Sequence, residues 1–386
     1  MRIRVHPDIL NIPQTKREPI HMACRGREDL VNLSSGNPDQ AMPDFIVEQL
    51  KKSLDSGRVP YTDYYGIPEL RTRISETLRK DWDIIADPAT EIAVTSGVQE
   101  GLYVVMRSLL HPGDEVLIPS PHYGNYFQNT VACGGKPVLV QLEEKTGFMP
   151  DFDRFKKAIT PNTRFLIFCN PNNPLGVVWP GEVLQGLADL ALAHDLIVLV
   201  DEIYRDFTYY RPAESIGALP GMKERTFTFG GFSKSHMMMG LRIGFVAGPE
   251  APMAAVKKLH YCIALCPSYL GQVAALAALD CPQEQLDCFI REYQDRIEML
   301  HKGMTEIPGV TCVLPQGGFY VFPNVKRFGL NSMELAIQMI ENASVITLPG
   351  TEFGPYGEGY LRLAVCERRE HLEMGIERLK DFARRY

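Results

Sequence analysis

A single lysine, Lys234, stands in "GGFSKSHMMMGLRIG" between two serines, with two glycines ahead of it and Arg242 eight positions on. Two chemistries use a lysine in such a setting: a loop that cradles nucleotide phosphates, or an amine that bonds covalently to a carbonyl cofactor. The phosphate loop needs glycine directly before the lysine, and here that residue is Ser233. No G-x-G-x-x-G follows the first apolar run either. A covalent lysine asks instead for a desolvated amine, a nearby anion site and an electron sink. Side chains of those types follow other apolar runs. "EIAVT" leads to Ser96-Gly97-Val98-Gln99, "EVLIPSP" to His122-Tyr123-Gly124, and "FLIFC" to Asn170-Pro171-Asn172-Asn173-Pro174. "LIVLV" leads to Asp201-Glu202-Ile203-Tyr204, and "TFTFGG" to Phe232-Ser233-Lys234. In open parallel sheets ligands bind beyond the carboxyl ends of the strands, so these residues are expected to converge.

The elements that must position them are short apolar, β-branched runs from about Glu91 to Gly248: "EIAVTSG", "DEVLIPSP", "KPVLVQL", "RFLIFCNP", "LIVLVDEIY", "RTFTFGG" and "LRIGFVAG". Near-continuous apolarity predicts strands buried on both faces of a parallel sheet. Amphipathic segments between them, such as "VQEGLYVVMRSLLHPGD" and "PGEVLQGLADLALAHD", predict helices, and the alternation predicts a layered α/β domain. After Gly248 the pattern changes. Residues 250–301 read as mainly helical, "TCVLPQGGFYVFPNV" as paired strands, and Glu367 to Arg384 as a charged helix. That part predicts a smaller α+β domain.

Bulk properties narrow the partners. A formal charge of −7 and a pI near 5.8 argue against nucleic acid or an anionic membrane surface. The start, "MRIRVHPDIL", lacks the apolar core of a signal peptide, and no apolar run is long enough to span a bilayer. The nine cysteines are dispersed without a C-x-x-C pair, and the nine histidines without metal-ligand spacing. The expectation is free thiols in a reducing cytoplasm and no metal.

The ordered set "SSGNPD", "YTDYYGIPELR", "TSGVQEGL", "NPNNPLG", "DEIYRDF", "SKSHMMMGLRIG" and "YLRLAV" resembles the class I/II aminotransferases, enzymes of fold type I that use pyridoxal phosphate (PLP). Each motif is weak alone; together, in family order over almost the whole chain, they are specific. The resemblance implies a mostly parallel seven-stranded sheet with helices on both faces, plus the smaller α+β domain. It also implies residues 1–40 contributing to the small domain, 41–275 as the PLP-binding domain and 276–386 as the C-terminal domain.

The resemblance further implies roles. Lys234 bonds covalently to PLP and then moves the substrate Cα proton, and Asp201 pairs with the protonated pyridine nitrogen. Tyr204 and Asn173 hydrogen-bond the cofactor's 3′-oxygen, and Tyr123 stacks on the ring. Ser233, Arg242 and the backbone amides of Val98 and Gln99 hold the phosphate. Tyr61, with Ser268 less directly, reaches the neighbouring subunit's phosphate, which implies a homodimer with shared active sites. Arg362 grips the substrate α-carboxylate with help from Asn173 and Gly36, which makes α-amino acids and 2-oxo acids the expected substrates. The alternative readings, a helix N-cap for Asp201 and a solvent-facing strand-edge charge for Arg362, carry less weight.

Some positions depart from the pattern. Leu175 replaces the usual threonine or glycine, Leu241 a frequent tryptophan, and His236, Met237, Met238 and Met239 read as packing. No second basic residue for a distal carboxylate stands out. Carbon–sulfur β-lyases and decarboxylases on the same scaffold are the alternative reaction. A PLP-binding regulatory module is the alternative class, disfavoured by the complete catalytic set.

Overall fold

The computed structural model describes residues 4–386, so the first three residues of the 1–40 segment lie outside it. Seven strands form the main sheet: β2 (Ile92–Thr95), β3 (Glu115–Ser120), β4 (Lys136–Gln141), β5 (Thr163–Cys169), β6 (Ile197–Asp201), β7 (Thr226–Gly231) and β8 (Gly244–Ala247). Each coincides with one of the seven apolar runs. Their order is β2-β8-β7-β6-β5-β3-β4, and β8 alone runs antiparallel to its neighbours.

The sheet is buried on both faces, which is why the strands carry little alternation. Successive residues point to opposite sides. Phe165, Ile167 and Leu199 enter one apolar cluster, while Leu166, Phe168, Val198 and Val200 enter another. The helix Val98–Leu109 covers the first face and buries Leu102, Val104, Val105 and Met106. At about 1.5–3 kcal/mol for a fully buried aliphatic side chain, that stripe outweighs the modest helix propensity of its valines. The helix Gly181–Ala193 covers the second face through Leu184, Leu187 and Leu190.

A smaller α+β part lies beside this sheet. β9 (Tyr320–Val321), β11 (Leu348–Pro349) and β12 (Leu361–Ala364) form a sheet in the order β11-β12-β9, while β1 (Val31–Asn32) pairs in parallel with β10 (Val345–Ile346). The helices Gln283–Thr305 and Arg369–Ala383 pack against each other and close this part. One expectation is corrected. "TCVLPQGGFYVFPNV" does not form two paired strands: its halves meet only at an isolated bridge between Thr311 and Asn324. Tyr320 and Val321 pair instead with Ala364 and Leu363 of β12. Pro315 lacks an amide hydrogen and Gly318 turns through φ +69°, so the ladder cannot continue between the halves. No helix among the described residues is long and apolar enough to cross a membrane.

Candidate active site

A cavity of about 450 Å³ opens at the carboxyl ends of β2, β5, β6 and β7. Gly36, Val98, Gln99, Tyr123, Asn173, Asp201, Tyr204, Ser233, Lys234, Arg242 and Arg362 all line it. Tyr61 and Ser268 do not. Tyr61 is 81% exposed, and Ser268 caps the helix Tyr269–Leu279 by accepting from Gly271 N at 3.2 Å.

The floor is ionisable and buried. Asp201, the last residue of β6, is buried and accepts hydrogen bonds from Tyr126 Oη at 2.9 Å and Ile203 N at 3.1 Å. Burial pushes its carboxyl up to about 6 in spite of both donors. Lys234 follows the end of β7 and donates from Nζ to the carbonyl of Gly36 at 2.9 Å. Burial, with repulsion from Arg362 and Arg242, holds this amine below the ordinary lysine range. Tyr204 lies 2.7 Å, hydroxyl to hydroxyl, from Tyr320, and Asn173 Nδ2 reaches it at 3.5 Å.

One end of the cavity is built for an anion. Gly97 has φ +81°, and among the described residues no side chain caps the helix that begins at Val98, so its first amide hydrogens stay open to a ligand. Arg242, itself in the left-handed region at φ +51°, is braced by Nη1 on the carbonyl of Met239 at 3.1 Å. A Cβ at Gly97 would stand 2.6 Å from Arg242 Nη2, so glycine is what lets the guanidinium approach this helix end. Glu100, in the same first turn, is engaged by Ser96 N at 3.1 Å and His260 Nδ1 at 2.8 Å.

The opposite wall carries Arg362 of β12. Its Nη2 donates to the carbonyl of Ser34, its Nη1 to Asn173 Oδ1 at 3.3 Å, and its buried Nε has no partner among the described residues. The guanidinium carbon sits 4.4 Å from the Tyr320 ring centre and 4.9 Å from that of Phe353. Arg17 also lines the cavity and donates from Nε to Glu352 at 2.8 Å. A second cavity of about 460 Å³ shares Arg17 and Tyr123 with the first.

These donors meet the demands of a group that is phosphate at one end, carbonyl beside the lysine and basic nitrogen beside the carboxylate. The open helix end, the glycine kept clear for Arg242 and the unpartnered Arg362 Nε are features that packing alone does not require.

The family Aminotransferase class I and II matches residues 28–379. The chain belongs to that family. This aminotransferase is 38% identical to aromatic-amino-acid aminotransferase 2 of Thermococcus litoralis, over 92% of each chain. It is 38% identical to an aspartate aminotransferase of Pyrococcus abyssi, over 98% of this chain and 97% of the relative. The crystal structure of an aromatic aminotransferase from Pyrococcus horikoshii superimposes with a TM-score of 0.90 at 37% identity, covering 95% of this chain and 99% of that one.

The aminotransferase's cavity also contains residues that sequence reasoning missed. Tyr126 bonds Asp201 across 75 positions, and its signal was one more aromatic in the helix Gly124–Ala132, just after Tyr123. Tyr320 was hidden by the misread strand pairing. Arg17 sits in an aperiodic stretch that gave no reason to bring it to the sheet. Met239 lines the cavity while Met237 and Met238 are buried in packing.

Proposed function

We propose that this aminotransferase holds pyridoxal phosphate covalently on Lys234 and moves the amino group of an L-α-amino acid to a 2-oxo acid. The observation that carries this reading is the convergence of the Lys234 amine, the buried Asp201 carboxylate and the Arg362 guanidinium on one cavity with an open helix end. When bound, the cofactor supplies a carbonyl for the amino group and a ring that draws electrons from the substrate carbon.

The chain's own residues do the rest. The Asp201 carboxylate holds positive charge at the ring nitrogen, and Tyr126 and Ile203 N keep that carboxylate oriented. Arg242, Ser233 and the amides of Val98 and Gln99 hold the phosphate. Tyr123 covers the ring face, and Tyr204 and Asn173 donate to its phenolic oxygen. Once the amino group of the substrate takes its place on the cofactor, the freed Lys234 Nζ would take the proton from the substrate Cα, and its lowered pKa keeps more of the amine neutral and able to accept. Arg362 orients the α-carboxylate, backed by Asn173 and the Gly36 loop.

Side-chain selection follows from Arg17, where the two cavities meet. Paired with Glu352, it leaves the site tolerant of neutral donors, and its remaining donors are available to a distal carboxylate. Both kinds of substrate suit relatives named as aspartate and aromatic aminotransferases. Exposed Tyr61 completes the phosphate site of a second copy, making the working unit a homodimer. The large unit runs from 41 to 275 and the small unit from 276 to 386, with 1–40 joining the small unit.

An absorbance spectrum of the protein reconstituted with pyridoxal phosphate, recorded with single amino acids and no keto acid, tests this. A visible band that bleaches while one equivalent of 2-oxo acid appears supports it. A band that persists while pyruvate and ammonia accumulate sinks the transfer reaction.

A further inference from the structure

Tyr320 has no part in the roles above, yet it touches two of the groups they use. It is buried in β9, in the small three-stranded sheet, whereas Tyr204 follows β6 of the main sheet. Their hydroxyls stand 2.7 Å apart. The face of the Tyr320 ring carries the Arg362 guanidinium at 4.4 Å. Gly36 closes the side of its hydroxyl: a Cβ there would lie 2.2 Å from the phenol oxygen.

A phenol has one proton to give and lone pairs to receive. Among the described residues, the Tyr320 hydroxyl has Tyr204 as its one hydrogen-bond partner. A buried hydroxyl seeks an acceptor, and for Tyr320 that acceptor is the Tyr204 oxygen. Tyr204 has a second option, because a ligand in the cavity can accept from it. Both residues line the cavity, but Gly36 packs against the Tyr320 hydroxyl, so the order that serves both phenols has Tyr320 donating to Tyr204 and Tyr204 donating to the ligand. Asn173 Nδ2, at 3.5 Å from the same oxygen, reinforces that direction.

We propose that Tyr320 is a positioning residue that couples the carboxylate clamp to the cofactor side of the cavity. Its hydroxyl fixes the direction of the Tyr204 proton, and its ring holds the Arg362 guanidinium flat. This rests on the covalent role of Lys234 proposed above. Donation from Tyr320 polarises the Tyr204 O–H, so Tyr204 becomes a stronger donor to the cofactor's phenolic oxygen. With the cofactor bound, a stronger bond from Tyr204 would draw charge from that oxygen and lower the pH at which the visible band changes.

The test is a pH titration of the visible band in the reconstituted wild type, Tyr320→Phe and Tyr320→Leu, with KM for the amino donor measured on each. Phenylalanine keeps the ring and removes the hydroxyl. The midpoint is expected to rise by about 0.5 pH unit, a fraction of one charge-assisted hydrogen bond, with KM within about twofold of wild type. Leucine also removes the aromatic face, and KM is expected to rise about tenfold. A midpoint in Tyr320→Phe equal to or below that of wild type would overturn the coupling, and so would a KM raised as much by phenylalanine as by leucine. Failure of the reconstituted wild type to show any band would overturn the Lys234 reading and this proposal with it. A normal wild-type titration keeps the two failures apart.

Discussion

The two walls of the cavity are built differently. The sheet wall sets Asp201 at the end of β6 and Lys234 three residues past the end of its neighbour β7, next to the ladder that holds the core. The opposite wall is assembled from Arg17, Ser34 to Asn37, Tyr320 and Arg362, segments as much as 345 positions apart in sequence (Arg17 and Arg362). Asp201 is anchored by a main-chain donor two residues away and by a helix that packs on its own sheet. Arg362 depends on a carbonyl 328 positions distant and on two aromatic faces. On the proposed function the difference separates roles: the sheet wall would carry the groups that handle protons and ring charge, and the composite wall the groups that choose and orient a substrate. Mutations on the first are expected to change the cofactor's spectrum and turnover, and mutations on the second to change KM and selectivity.

The largest effects belong to the sheet wall. Lys234→Ala is expected to abolish the covalent visible band and lower turnover by about 10⁴-fold, the upper range for a positioned general base. Asp201→Asn keeps the shape and removes the charge. It is expected to retain a band and lose about 10³-fold in turnover, near the upper range for removal of one preorganised electrostatic partner. A single-turnover spectrum of each variant checks both. If either variant instead raised KM at unchanged turnover, the division between the walls would break.

On the composite wall, Arg362→Lys removes the planar fork and leaves a charge. A loss of about 100-fold in kcat/KM is expected, carried mainly by KM, with an unaltered band in the absence of substrate. Steady-state kinetics together with the resting spectrum reads both at once.

The join between the walls has its own signature. His122 follows β3, is 4% exposed, and meets the other side through its main-chain bond to Phe353 O at 2.9 Å. Burial holds its imidazole down to about 4, against 6.5 when free. The unfolded chain takes up a proton from pH 6.5 downward and the folded chain does not until about pH 4, so stability falls across that window and is unaffected above it. The loss is about 3 kcal/mol by pH 4. Denaturant melts of wild type and His122→Gln at pH 7 and pH 4 are expected to differ by that amount in their pH dependence. Equal losses in the two proteins would mean that His122 titrates normally.

The same asymmetry explains what was legible in the sequence. The seven strands announced themselves because a sheet buried on both faces leaves unbroken apolar runs. The residues after those runs could be placed because ligands gather at strand ends. Tyr126, Tyr320 and Arg17 had no comparable rule. Tyr126 reaches Asp201 from a helix face that reads as ordinary packing. Tyr320 depended on which strand paired with β9, a choice fixed by long-range contacts with β12. Arg17 lies near the chain's start, outside any periodic element strong enough to direct it. Local pattern predicts a wall made of local structure, and it fails where tertiary contacts select the residues.

Arg17 provides the smallest of these tests and the sharpest one of the composite wall. Its Nε bond to Glu352, and the bond from Lys16 N to the same carboxylate at 2.8 Å, tie the segment before the helix Glu18–Cys24 to the lining of the second cavity. Arg17→Gln removes the positive charge that a distal carboxylate would meet, while its amide can still donate to Glu352. For a dicarboxylic donor, kcat/KM is expected to fall about tenfold, the value of one charged hydrogen bond near the surface. For an aromatic donor it is expected to stay within about twofold, because that side chain makes no use of the charge. Measured as a ratio of the two donors in one preparation, the effect cancels any error in active-site concentration. A uniform loss for both donors would reduce Arg17 to a tether for its segment, and selection between substrates would then have to be sought elsewhere along the shared boundary of the two cavities.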